Sequence, residues 1–161
     1  DAASLLETDG AEVLALPLDV ADEAQWESVA QQAEARFGKL HMVVNNAGVG
    51  FGSAVLTENQ PKDWDGNYGV NVKGTMALCR GVIPYMEQAG GGAIVNVGSI
   101  LGSIGLPGQV AYSASKFGLR GLSEALRREL DGSGVGVTGG RHRRLGVLAR
   151  QQLVAGAAAC R

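Results

Sequence analysis

The sequence predicts an α/β fold, a parallel sheet covered by helices, and three observations carry the prediction. Short apolar runs of strand length alternate with helical patterns along the chain. Polar or glycine residues stand at the carboxyl ends of three of those runs, at Asp19, at Asn45 to Gly48 and at Ser99. Open parallel sheets bind their ligands at such ends. The composition is globular, 45% hydrophobic and 19% charged over 161 residues, which suffices for one domain with a real core.

The elements follow in order. Val13 to Leu18 is an apolar run ending at Asp19 and reads as a buried strand, with Pro17 at a point where a ladder bond is dispensable. Asp22, with Gln25 three residues on, starts a helix that carries Trp26, Val29, Ala30, Ala33 and Phe37 and stops at Gly38. Met42 to Val44 is a second buried strand. After a loop over 49–60, Pro61 is a good first helical residue, and one long helix runs through Trp64, Val70, Met76 and Leu78 towards Met86. Glycines 90–92 end it. Ala93 to Val97 is a third strand, residues 100–110 a glycine-rich loop. Tyr112 to Asp131 is a helix with Leu119, Leu122, Leu126 and Leu130 on one stripe. Val135 to Thr138 starts a fourth strand.

Several function classes are excluded on composition. Cys79 and Cys160 are too few for a disulfide framework and lack partners at metal-ligand spacing, so they read as free thiols, no metal site is expected, and a cytoplasmic location is. No apolar run approaches the ~20 residues that span a bilayer, and no basic segment followed by an apolar core opens the chain. Charge is uneven. Residues 1–131 hold nine of the 14 Lys and Arg and all 16 Asp and Glu; residues 132–161 hold five Arg and no acid. The segment 139–161 therefore reads as an atypical basic tail. A changed reading frame or a degenerate end is the leading explanation for it. A nucleic-acid-binding tail is the weaker one, since no nucleic-acid fold accompanies it.

The candidate chemistry starts with Tyr112 and Lys116, four residues apart and so on one helix face. An ammonium beside a phenol favours the phenolate and lowers the tyrosine pKa from about 10, which suits a general acid or base. Taken alone, a Tyr and a Lys on a solvated face are the commoner explanation. Ser99 ends a strand and can face the phenol across a cleft, as a donor to a substrate oxygen that gains charge, or it can simply satisfy a turn. It is a poor nucleophile candidate, because Leu101 stands where the second glycine of G-x-S-x-G would be. His41 and His142 read as structural or solvated. Asn45-Asn46-Ala47-Gly48 allows a ligand close to the backbone, or is a plain turn. Asn71 has poor propensity for the helix interior in which it falls, which marks it either for a specific role or as a locally bonded amide.

The ordered set Leu18-Asp19-Val20, Asn45-Asn46-Ala47-Gly48, Asn71-Val72-Lys73-Gly74, Ile94-Val95-Asn96-Val97-Gly98-Ser99 and Tyr112-Ser113-Ala114-Ser115-Lys116 resembles the short-chain dehydrogenases/reductases over roughly residues 5–138. Each motif alone is weak; five in order, with thirteen residues from Ser99 to Tyr112, are specific. The resemblance implies a Rossmann-like, doubly wound parallel sheet over 1–138 and an oxidoreductase that moves a hydride between NAD or NADP and a small alcohol or carbonyl substrate. It implies Tyr112 as the acid/base, Lys116 as the group that lowers its pKa and holds the nicotinamide ribose, Ser99 on the substrate oxygen and Asn71 on a relay water. It places Asp19 and Val20 near the adenine and Asn45, Ala47 and Gly48 along the cofactor. It implies a homodimer or homotetramer that pairs the helices around 61–88 and 111–131, with no nucleic-acid or membrane partner.

The sequence departs from the family pattern at both ends. No G-x-G-x-x-G or similar run precedes residue 45, so the first strand–helix–strand unit and the residue that selects NAD or NADP are expected to be missing. After Thr138 the chain reads Gly139-Gly140-Arg141-His142 in place of a Pro-Gly segment. A non-catalytic ligand-binding or interaction protein is the alternative these departures leave open.

Overall fold

The computed structural model describes residues 12–139. Three parallel strands form its sheet: β1 (Met42–Asn45), β2 (Gly92–Asn96) and β3 (Val135–Gly139), in that spatial order. Parallel neighbours need a crossover, and helices supply each one. Helices α2 (Pro61–Tyr68) and α3 (Thr75–Gln88) connect β1 to β2, and α4 (Val110–Glu129) connects β2 to β3. Helix α1 (Glu23–Phe37) precedes β1. This is the α/β architecture that the alternation predicts. The basic segment beyond Gly139 lies outside the described residues, as do Cys160 and His142.

The register builds two cross-sheet rows on one face. Val43, Ile94 and Val137 form the first, and Asn45, Asn96 and Gly139 the second. All six are buried. Helices α3 and α4 cover this face: Cys79 of α3 meets Asn45, and Ser123 of α4 meets Asn96. The row on the other face, Val44, Val95 and Thr138, is only half-buried. The core gathers Trp26, Ala30 and Ala33 of α1, Leu78, Val82 and Met86 of α3, and the strand residues Val43, Ile94 and Val137.

Helix boundaries follow local chemistry. The Asp22 carboxylate accepts the Ala24 N–H at 3.0 Å and caps α1. The Gln25 side-chain amide donates to that carboxylate through Nε2 at 2.8 Å and accepts the Asp19 N–H through Oε1 at 2.9 Å. Gly38 ends α1 at φ 80°, a left-handed conformation that costs glycine little. Pro61 begins α2, and Gln60 N–H donates to Asp63 at 2.9 Å.

Three expectations are corrected. Residues 13–18 form no strand. A strand needs a ladder partner, and β1 pairs on one side with β2 while no described segment pairs along its other edge. The helix over 61–88 is not uniform: Gly69–Gly74 is a π turn that separates α2 from α3. The deepest stripe of α4 is Ala111, Ser115, Leu119 and Ser123, each at most 3% exposed, while Leu122, Leu126 and Leu130 are half-buried. Small side chains win there because α4 closes tightly on β3: a Cβ on Gly139 would stand 2.5 Å from Ser123 Oγ. Among the described residues, no helix is long and apolar enough to cross a membrane.

Candidate active site

Tyr112 and Lys116 occupy the first turns of α4, and the helix stacks them on one face. Lys116 Nζ lies 5.8 Å from the centroid of the Tyr112 ring and donates to the Val97 carbonyl at 3.3 Å. The lysine is 5% exposed. Burial disfavours its charged form and pulls its pKa below the ordinary 10.5. Among the described residues no carboxylate pairs with it.

Asn71 sits inside the π turn and is completely buried. Its Oδ1 accepts the Val49 N–H at 2.9 Å, and its Nδ2 donates to the Val49 carbonyl and to Ser115 Oγ, both at 2.9 Å. Ser115 in turn donates to the Tyr112 carbonyl at 2.7 Å. One continuous set of hydrogen bonds thus ties the loop after β1, the π turn and the Tyr112 turn of α4 together. π turns interrupt helices most often at functional positions, and here the interruption carries the asparagine that joins the three segments.

The loop after β1 completes the wall. A Cβ on Gly48 would stand 3.3 Å from both Asn71 Oδ1 and Lys116 Nζ. Gly48 is exposed, so its missing side chain leaves a cradle bounded by an ammonium and an amide oxygen. A ligand hydroxyl, which can accept from the ammonium and donate to the amide oxygen, fits that pair. A Cβ on Gly50 would lie 3.4 Å from Tyr112 Cδ2. Ala47 packs against the core. The Asn45 side chain turns inward: its Nδ2 donates to Asn96 Oδ1 at 2.7 Å, and Asn96 donates to Ser123 Oγ at 2.9 Å. Asn45 therefore turns its side chain away from a ligand, and its carbonyl accepts the Val97 N–H at 2.9 Å.

Two further candidates lie beside this centre. Ser99 Oγ accepts the Leu101 N–H at 3.2 Å and caps a short 3-10 turn, Ile100–Gly102. That bond uses a lone pair and leaves the hydroxyl proton for another acceptor. No hydrogen bond joins Ser99 to Tyr112. Val20 lies against the end of the π turn, because a Cβ on Gly74 would stand 2.6 Å from the Val20 carbonyl oxygen. Asp19 Oδ1 accepts the Ala21 N–H at 2.9 Å, and the Val20 carbonyl accepts the Trp26 indole N–H at 3.2 Å.

Sequence reasoning missed two residues that build the site. Ser115 lies within the Tyr112–Lys116 motif, where the resemblance gives it no role. Asn67 is a second asparagine inside the helical run, four residues before Asn71, and that spacing was the available signal. A groove of about 400 Å³ between α1 and α3, lined by Trp26, Arg80 and Tyr85 among others, contains none of the candidate residues. Its charges include the Arg80–Glu23 ion pair. The described residues contain no His, Cys, Asp and Glu group able to hold a metal.

The family model described as "short chain dehydrogenase" matches residues 1–140. The chain belongs to the short-chain dehydrogenase family. It is 40% identical over 144 residues to the D-threitol dehydrogenase of Mycolicibacterium smegmatis, an alignment that covers 82% of this chain and 55% of that protein. Among solved structures, it resembles a short-chain dehydrogenase/reductase from Burkholderia phymatum in complex with NAD, at 36% identity and a TM-score of 0.81, covering 85% of this chain and 50% of that one. A metagenomic short-chain oxidoreductase in complex with NADP is 31% identical with a TM-score of 0.80, covering 85% and 62%. This short-chain dehydrogenase chain spans about half the length of the curated relatives it matches. These matches bear out the Rossmann-like fold that the five motifs imply.

Proposed function

We propose that the protein is an NAD- or NADP-dependent oxidoreductase acting on an alcohol or carbonyl substrate. One observation carries the reading: Tyr112, buried Lys116 and the exposed Gly48 cradle meet at the carboxyl ends of β1 and β2. When bound, the nicotinamide cofactor supplies or accepts the hydride. Lys116 Nζ and the backbone of Asn45 to Gly48 hold it, with Asp19 and Val20 towards the adenine. Two structures similar to this chain carry NAD and NADP respectively.

The chain's own groups handle the proton. The Tyr112 hydroxyl gives its proton to the substrate oxygen on reduction and takes it back on oxidation. The Lys116 ammonium favours the phenolate that remains. The Ser99 hydroxyl donates to the substrate oxygen as its charge grows. Both Asn71 Nδ2 hydrogens are taken by Val49 and Ser115, and its backbone carbonyl accepts from the Thr75 hydroxyl at 3.3 Å, so a relay water would meet the remaining lone pair of Oδ1, which faces the Gly48 cradle. Association of two or four copies through α3 and α4 belongs to the same proposal. Met76 and Phe117, exposed on those helices, support it.

The test is Tyr112→Phe. The variant is expected to lose turnover of alcohols and ketones by about 10²–10⁴-fold while cofactor affinity, followed by nicotinamide fluorescence, stays within about threefold. Unchanged turnover, or no saturable cofactor binding by the unsubstituted protein, would overturn the assignment.

A further inference from the structure

We infer that Asn67 is a positioning residue for Tyr112, acting through the loop after β1. Asn67 is completely buried on α2. Its Oδ1 accepts the Phe51 N–H at 3.3 Å, and its Nδ2 donates to the Phe51 carbonyl at 3.0 Å and to the Asp63 carbonyl at 2.7 Å. One helical step on, Asn71 holds both backbone groups of Val49 in the same way. Two amides, four residues apart in sequence, grip two loop residues that are two apart. They do for the loop what a neighbouring strand would do: each satisfies one N–H and one C=O.

Gly50 lies between the two gripped residues and turns to the other side, where its Cβ position is 3.4 Å from Tyr112 Cδ2. The Phe51 ring closes the far end over Gly66, where a Cβ would stand 2.7 Å from Phe51 Cδ2. The loop is thereby held at Val49 and at Phe51, and Gly50 faces the tyrosine ring across the space that a single Cβ would fill. Asn71 alone cannot fix Gly50, because a segment held at one residue pivots about it. Asn67 supplies the second point. The consequence is a fixed backbone wall on one side of the phenol, which bounds the positions its ring can take for general acid–base transfer.

This inference rests on the proposed acid/base role of Tyr112, and Asn67→Leu tests it. Leu keeps the branching and the number of heavy atoms and removes all three hydrogen bonds; the Phe51 side chain is exposed. Two readouts are combined: turnover per cofactor-binding site, which a change in folded fraction does not move, and amide exchange of Phe51 and Val49 against Ile94 in the core. Exchange at Phe51 is expected to quicken with Val49 and Ile94 unchanged. Turnover per site should fall about tenfold, with cofactor affinity within twofold, since sub-ångström misplacement of a reacting group carries losses of this order. Faster exchange at Phe51 with unchanged turnover would overturn the positioning role and leave the oxidoreductase assignment standing. Unchanged exchange at Phe51 would overturn the clamp itself. An unsubstituted protein without nicotinamide-linked turnover would sink the assignment, and the positioning role with it.

Discussion

Lys116 Nζ lies 5.8 Å from the centroid of the Tyr112 ring, with the Val97 carbonyl as its hydrogen-bond acceptor. In the proposed reaction the pair serves proton transfer; for folding it is costly, because an ammonium 5% exposed has lost most of its hydration. The folded chain holds Lys116 below 10.5. Between that lowered value and 10.5, the unfolded chain carries a proton that the folded chain has released. Stability therefore rises with pH across that window, and the cost of the buried charge is fully present below it. Lys116→Met is expected to raise stability at neutral pH by about 1 kcal/mol, or about 2–4 °C in the melt, and to abolish turnover. The gap should close as pH approaches 10.5. Melts of both proteins across pH decide it, and a Lys116→Met protein that melts lower at neutral pH would contradict the argument.

The Asn71 side chain makes three hydrogen bonds to two segments of the chain. Removing it leaves Val49 without its partners and Ser115 without a donor. Asn71→Leu is therefore expected to cost about 2–4 kcal/mol, measured by urea unfolding, and to reduce turnover well beyond the loss of folded protein. A loss under about 0.5 kcal/mol would mean that water replaces the amide at little cost.

Most helix boundaries were legible because their causes are local. Asp22, Gly38 and Pro61 stop or start helices through groups within a few residues, so the chain around each contains the whole explanation. The strand expected over 13–18 failed for the opposite reason. Its formation depends on a partner that no stretch of local sequence specifies. Gly69–Gly74 holds two glycines, two valines and Asn71, all weak helix formers, but weak propensity does not specify a π turn, and the contacts of Asn71 with Val49 and Ser115 lie across the fold. Tyr112 and Lys116 were legible as a pair by spacing. The inward turn of Asn45 was not, since it depends on Asn96 lying directly across the ladder.

Cys79 shows how burial alone sets reactivity. It is 3% exposed on α3, and burial pushes its thiol up to about 11. Thiolate is the reactive form, so at pH 8 only about one molecule in a thousand is reactive, and the alkylating agent also lacks access. Iodoacetamide is expected to leave Cys79 unmodified in the native protein and to label it fully in urea, read by peptide mass spectrometry. Rapid native labelling would show that α3 opens readily from β1.

Gly74 and Gly81 make a matched pair on one helical run. A Cβ on Gly74 would meet the Val20 carbonyl oxygen at 2.6 Å and the Val20 carbonyl carbon at 3.2 Å, and a backbone group moves only by shifting its segment. A Cβ on Gly81 meets nothing within 4 Å. Gly81→Ala should therefore gain about 0.5–1 kcal/mol, the usual benefit of alanine over glycine in a helix. Gly74→Ala receives the same benefit but also displaces Asp19 and Val20, at a cost of about 1–3 kcal/mol for overpacking. Its melt should fall below that of Gly81→Ala. Because the displaced residues are the proposed adenine side of the site, its affinity for the dinucleotide should weaken several-fold, while Gly81→Ala leaves it unchanged. Calorimetric titration of NAD and NADP into both variants separates the two effects. If Gly74→Ala is destabilised yet binds the cofactor as tightly as Gly81→Ala, the packing of Val20 on the π turn serves the fold alone, and Asp19 and Val20 lose their place in the cofactor site.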